Sequence, residues 1–228
     1  MPGSQLGNES GDVEANLFTH VQPHVHPHGR ARGASTQSRI LETAVQIASV
    51  EGLDAMSLAT LAGATQMSKS GLFAHFRSKE ALQLAIIDEA ERLFSAAVLE
   101  PPASKRGLAR LRGLAESYIT YAAGKVFQGG CFFAAAIHEF DGRPGLVRER
   151  LGAWLERWHG ALGDACREAQ VLGEMTSSIS PEQIAFEISG IGLSTNLHTQ
   201  MRDAERARTA GLAAANALMD RIVTRALA

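Results

Sequence analysis

Lys69, Ser70, Phe73 and Ala74 fall three and four residues apart, so on a helix they share one face, opposite Leu72 and Phe76. A cation, a hydroxyl, an aromatic ring and a methyl do no acid–base or nucleophilic work. They suit recognition, because short side chains permit close approach and a helix N-terminus offers free N–H groups and the positive end of its dipole to a phosphate. Lys79 adds a second cation at the start of the following helix, and Ser57 and Thr60 bring hydroxyls from the preceding one. This chemistry points to double-stranded DNA entered through the major groove.

Other chemistries fare worse. His138, Glu139 and Asp141 are the acid–base candidates, but neighbours on a helix diverge by about 100°, and no nucleophile or metal set accompanies them. An enzyme is therefore not expected. His24, His26 and His28 form a weakly chelating run without a fourth ligand nearby, so no metal or cofactor is expected either. Cys131 follows Gly129-Gly130 at a helix start, where a thiol pKa falls, and Cys166 is its only conceivable resolving partner. A redox signal through Cys131 stands as the alternative to a small-molecule one.

Composition sets the bounds. The 228 residues are 45% hydrophobic and 20% charged, enough apolar material for a substantial core. Net charge is −2, so contact with a polyanion must come from a local patch. Residues 30–80 supply one: Arg30, Arg32, Arg39, Lys69, Arg77 and Lys79 outnumber Glu42, Glu51, Asp54 and Glu80. The least charged stretch, residues 188–201, is broken by Ser, Thr, Asn, His and Gln, so no membrane span is expected. Two cysteines and the lack of a leader pattern predict a cytoplasmic protein.

The elements that must position these residues are helical, and no alternating strand pattern appears, so the fold class is all-α. Residues 1–34 read as a flexible tail, residues 35–80 as a helix-turn-helix domain and residues 81–228 as a larger helical domain for regulation and dimerisation. A first helix from Ser35 or Thr36 places Ile40, Ala44, Ile47 and Ala48 on one face and stops at Glu51-Gly52. Ser57 caps a second helix, with Met56 and Leu61 spaced as a hydrophobic staple. Ser68 caps a third, with Met67 and Leu72 spaced likewise. Ser78 caps a long strut reaching about Val98, and further helices are predicted near 104–126, 130–139, 144–172, 181–201 and 203–227.

The run Met67-Ser68-Lys69-Ser70-Gly71-Leu72-Phe73-Ala74-His75-Phe76-Arg77-Ser78-Lys79-Glu80-Ala81-Leu82 resembles the signature of the TetR/AcrR family of bacterial transcriptional regulators. Ile40-Leu41 with Ala44, Gly52-Leu53, and Ser57-Leu58 with Leu61-Ala62 agree with it in order and spacing. The resemblance implies a three-helix DNA-binding domain ahead of a ligand-binding, dimerising one. It implies that Ser68, Lys69, Ser70, Phe73 and His75 face DNA and that Lys79 meets a backbone phosphate. Three departures stand out. Gln66 replaces a turn glycine, at about 1–2 kcal/mol if left-handed. Gly71 replaces a hydroxyl residue and weakens the helix by about 1 kcal/mol. Phe73 lacks the hydroxyl of the usual tyrosine.

So short a reader needs two half-sites about 34–36 Å apart, hence a homodimer on a palindromic operator. The last two helices are expected to form the dimer. Gly190, Gly192 and Ser194 lie among Ile184, Ile188, Ile191, Leu193 and Leu197 on one, and Leu212, Ala215, Met219, Ile222 and Ala226 form a stripe on the other. A small, largely apolar effector is expected among Tyr118, Tyr121, Phe127, Phe132, Phe133, Trp154, Trp158 and Phe186, with His138, Asn196 and His198 as polar anchors. Phe132, His138, Trp154 and Trp158 are the expected contacts. Its binding would tilt the strut and release the operator.

Overall fold

The computed structural model describes residues 27–223, with side chains from Thr36 onward. These residues form nine α-helices: α1 (Pro27–Glu51), α2 (Leu58–Thr65), α3 (Lys69–His75), α4 (Lys79–Phe94), α5 (Gly107–Ala123), α6 (Phe132–Phe140), α7 (Leu146–Val171), α8 (Pro181–Met201) and α9 (Ala204–Ile222). A π-helical turn, Ser95–Leu99, prolongs α4 to the expected end of the strut. The all-α class is thus observed. No helix among the described residues is long and apolar enough to cross a membrane.

Local chemistry sets most boundaries. Ser57, Ser68, Ser78 and Ser180 each accept a hydrogen bond from the N–H three residues on, capping α2, α3, α4 and α8. Gly52 ends α1 in the left-handed region, φ +96°. The start of α1 differs from expectation. It lies at Pro27 rather than near Ser35, because a proline at the first helical position has its φ already set and needs no N–H partner. Residues 1–26, with His24 and His26, lie outside the described residues, as does Ala226.

Ile40, Ala44, Val45, Ala48, Leu53, Met56, Leu61, Leu72 and Phe76 close the core of the first three helices. Leu82 and Ile86 of α4 complete it. The same core continues along α4, through Ile87, Ala90 and Phe94, into the C-terminal helices. There Phe94 is ringed edge-on by Tyr118, Tyr121, Phe133, Trp154 and Trp158, with centroids 5.1–6.1 Å away.

The stripes expected to form the dimer need correction. Ile184 and Ile188 of α8, and Ala215, Met219 and Ile222 of α9, are buried within the chain, and Leu212 packs against its core. Gly192 lies so close to Tyr118 that a Cβ would strike the ring. The reason is α5, which packs beneath both α8 and α9 and consumes their inner faces. Leu193 and Leu197 do point outward, joined by two residues absent from the expected set. Phe186 is 73% and Met201 74% exposed.

Candidate nucleic-acid interface

Each hydroxyl at the turn has a structural task. Ser57 Oγ accepts from the Thr60 N–H at 3.1 Å and lies 2.9 Å from the Thr60 hydroxyl. Ser68 Oγ accepts from the Gly71 N–H at 3.1 Å and lies 3.1 Å from the Ser70 hydroxyl. Between them Gln66 adopts φ 55°, ψ 28°, so the left-handed turn is kept without its usual glycine and at the cost of strain. The departure at Gln66 has not altered the turn.

α3 presents the expected face. Leu72 and Phe76 are buried, whereas Ser68, Lys69, Ser70 and Ala74 are exposed, and Phe73 is 53% exposed. Phe73 is the large apolar side chain that α3 leaves in water. His75 is half-buried, its ring tilted against Phe76 with centroids 6.3 Å apart, which puts it at the rim of the face. Arg77 is exposed in the turn to α4 and adds a cation that the motif reading passed over, although it was part of the local positive charge.

Lys79 is not free. Its ammonium donates to the Asp54 carbonyl at 2.5 Å and to Asp54 Oδ1 at 3.2 Å. Asp54 Oδ2 accepts from Arg143 Nη1 at 2.6 Å. The Arg143 and Lys79 hydrogen bonds hold the Asp54 carboxyl below its ordinary pKa. Sequence gave no sign of this network, because the partners stand 25 and 89 residues apart.

A second set of bonds ties α6 and its leading loop to α1 and the α1–α2 turn. Glu139 Oε1 and Oε2 accept from the Leu53 and Asp54 N–H groups at 3.1 and 2.8 Å. Gln46 of α1 bonds Val126 O and the Gln128 N–H, and Ser49 Oγ accepts from the Gly129 N–H. Gly129 presses against the α1 backbone at Ser49, leaving no room for a Cβ. Gln83 of α4 donates to Leu53 O, so the α1–α2 turn is gripped from α4 and from α6.

The expected effector contacts divide. Phe132, Trp154 and Trp158 are buried in one aromatic cluster, where Phe133 stacks on Trp154 at 3.6 Å and Trp158 Nε1 donates to Ser189 Oγ at 3.1 Å. His138 is exposed on the outer side of α6, away from that cluster. The other expected anchors are already engaged: Asn196 Oδ1 accepts from the Cys131 N–H, and the His198 ring bonds Ser194 O. A groove of about 1070 Å³ lies instead between α8 and α9, lined by Gly190, Ser194, His198, Arg202 and Arg206 among others.

The cysteines do not have the reactivity that a helix start confers. Burial pushes the Cys131 thiol up, against the opposing hydrogen bonds from Tyr121 and the Ala134 and Phe133 backbone. Burial also pushes Cys166 up to about 12. The thiolate that oxidants attack is therefore suppressed at both. Among the described residues no His, Cys, Asp and Glu grouping is arranged to hold a metal ion.

Comparison with known proteins agrees with the geometry. Residues 40–86 match the model of bacterial regulatory proteins of the tetR family, and residues 107–215 match the tetracyclin repressor-like C-terminal domain. The transcriptional regulator AcuR of Cereibacter sphaeroides is 27% identical over 165 residues, covering 69% of this chain and 74% of AcuR. A TetR transcriptional regulator from Chloroflexus aurantiacus J-10-FL superposes with TM-score 0.75 at 20% identity, over 86% of this chain and 100% of that one. AibR, solved with isovaleryl coenzyme A and operator DNA, superposes with TM-score 0.61 at 25% identity, over 77% of this chain and 96% of its own.

Proposed function

The chain belongs to the TetR family of bacterial transcriptional regulators, and from that premise we propose that it is a homodimeric repressor that a small, largely apolar effector releases from a palindromic operator. It is a DNA-binding regulator and not an enzyme. The observation that carries the proposal is the exposed face of α3, with Lys69, Ser70 and Phe73 in water above a buried Leu72 and Phe76. Ser57 and Ser68 cap the two motif helices, and a role on operator DNA would be carried out in the cytoplasm.

The second copy covers the outer face of α8. Phe186, Leu193, Leu197 and Met201 recur at intervals of seven, four and four residues and are each about half or more exposed, an apolar strip that a lone chain leaves in water. A two-fold dimer joined there supplies the two copies of α3 that two half-sites require. The aromatic cluster around Phe94 supplies the apolar side of an effector site, with Phe132, Trp154 and Trp158 as its walls. AibR was solved with isovaleryl coenzyme A, whose branched acyl end is the small apolar part that such a site would take, so compounds carrying that acyl group are the first effectors to try.

Capture of sheared genomic DNA by the purified protein at physiological salt, followed by sequencing, tests the reading. A sharply enriched two-fold symmetric site is expected, and recovery of bulk DNA alone would refute sequence-specific binding. Loss of the enriched site on adding isovaleryl coenzyme A, but not free coenzyme A, would identify the effector class.

A further inference from the structure

We propose that Asp54 and Arg143 are positioning residues that set how freely Lys79 meets a DNA backbone phosphate. The inference rests on the DNA-binding reading above and adds the side chains by which the C-terminal helices reach that contact. Lys79 stands at the first position of α4, with its ammonium on the Asp54 carbonyl and Oδ1. Arg143 takes the other carboxylate oxygen from just beyond α6. Its guanidinium carbon lies 5.5 Å from the centre of the Phe140 ring, and the Arg143 backbone N–H donates to Phe140 O, so its place follows the end of α6. The Lys79, Asp54 and Arg143 side chains are 50%, 44% and 56% exposed, so partners exchange here with little desolvation.

The chemistry is a competition. A DNA phosphate and the Asp54 carboxylate seek the same ammonium, and lysine, a compact point charge, has no fork geometry to favour either. While Arg143 holds Oδ2, the carboxylate divides its charge between two cations and grips Lys79 less. When the end of α6 withdraws, Asp54 turns wholly to Lys79 and the phosphate must displace a stronger partner. DNA affinity then falls without any movement of α3. Glu139, three residues before Gly142 on the same segment, holds the Asp54 N–H and keeps the carboxylate in place for the exchange.

The test uses the full chain and a duplex that the wild-type protein selects from a random-sequence pool, titrated at several salt concentrations. Arg143→Gln is expected to weaken binding about threefold and Asp54→Asn to strengthen it about threefold, the size an exposed ion pair supports. Arg143→Gln on the Asp54→Asn background is expected to change nothing. Lys79→Gln should abolish both effects and lower the salt slope by about 1. A merely damaged fold does not raise affinity, and a thermal melt of each variant verifies its folding. An Arg143→Gln loss of equal size on both backgrounds overturns the proposal, since that is the signature of a long-range field. A wild-type chain that selects no duplex overturns the DNA-binding reading, whereas normal selection with no gain from Asp54→Asn overturns this inference alone.

Discussion

Glu139 accepts hydrogen bonds from two consecutive backbone N–H groups, Leu53 at 3.1 Å and Asp54 at 2.8 Å, across 86 and 85 residues of chain. One carboxylate from the regulatory helices thus holds the turn that orients α2. Hydrogen bonds to a charged group contribute about 1.5–3 kcal/mol each. With the turn half-exposed, Glu139→Gln is expected to cost about 1–2 kcal/mol and to speed exchange of the Leu53 and Asp54 amides. Hydrogen exchange that is unchanged at both amides would show that the turn is held by other means.

Phe73 contributes little to the core, because its ring is 53% exposed, and contact with DNA is the role proposed for it. Phe73→Ala should leave stability within about 0.5 kcal/mol while weakening binding to the selected operator. Phe73→Tyr should strengthen binding by about 1 kcal/mol, one hydrogen bond to phosphate. Parallel melts and DNA titrations check both, and equal affinities for all three proteins would remove Phe73 from the interface.

Lys69 opens α3 and is exposed. Lys69→Ala should reduce the slope of log affinity against log salt by about 1 if it meets a phosphate. If it reads a base instead, the slope should hold and discrimination at one operator position should relax. Titrations across a salt series separate the two.

The outer strip of α8 gives the oligomer prediction. Leu197 is 59% exposed in the single chain, so Leu197→Glu should leave its melting largely intact. In a dimer the same change buries a charge without a partner, and sedimentation should report monomers. Operator affinity should fall with it. A dimer that persists would move the interface off this face.

Glu91 predicts a pH dependence. Burial raises its pKa, but hydrogen bonds from Arg157 and Arg150 outweigh that and leave it below the ordinary value of 4.5. A depressed folded pKa stabilises fully above the ordinary value, and that contribution disappears as pH falls through the folded one. Glu91→Gln should therefore destabilise by about 2 kcal/mol near neutrality, between exposed and buried pairs. The gap should begin to narrow as pH falls towards the ordinary value and close only once the folded carboxyl is protonated, below it. Melts of both proteins from pH 7 to 3 measure it, and a constant gap would exclude the linkage.

The caps and the motif face were legible because they are local. Ser57, Ser68 and Ser180 announce themselves within three residues, and the period of Leu72 and Phe76 fixes which side of α3 is wet. The α8 and α9 stripes misled because periodicity reveals that a face is apolar and not what covers it. Ile184 and Met219 are buried on helices that pack against α5, whereas Phe186 and Met201 are left outside. The Asp54 network was invisible for a different reason, since a pairing across 89 residues leaves no local trace.

Because α4 carries Leu82, Ile86, Ile87 and Phe94 into one continuous core, the reader and the sensor share their interior. A cut between α3 and α4 would therefore divide this core, so exchanging sensors there should yield an unstable chimera. A working chimera must carry α4 and the partners of Phe94 as one inheritance, with Tyr118, Trp154 and Trp158 moving together.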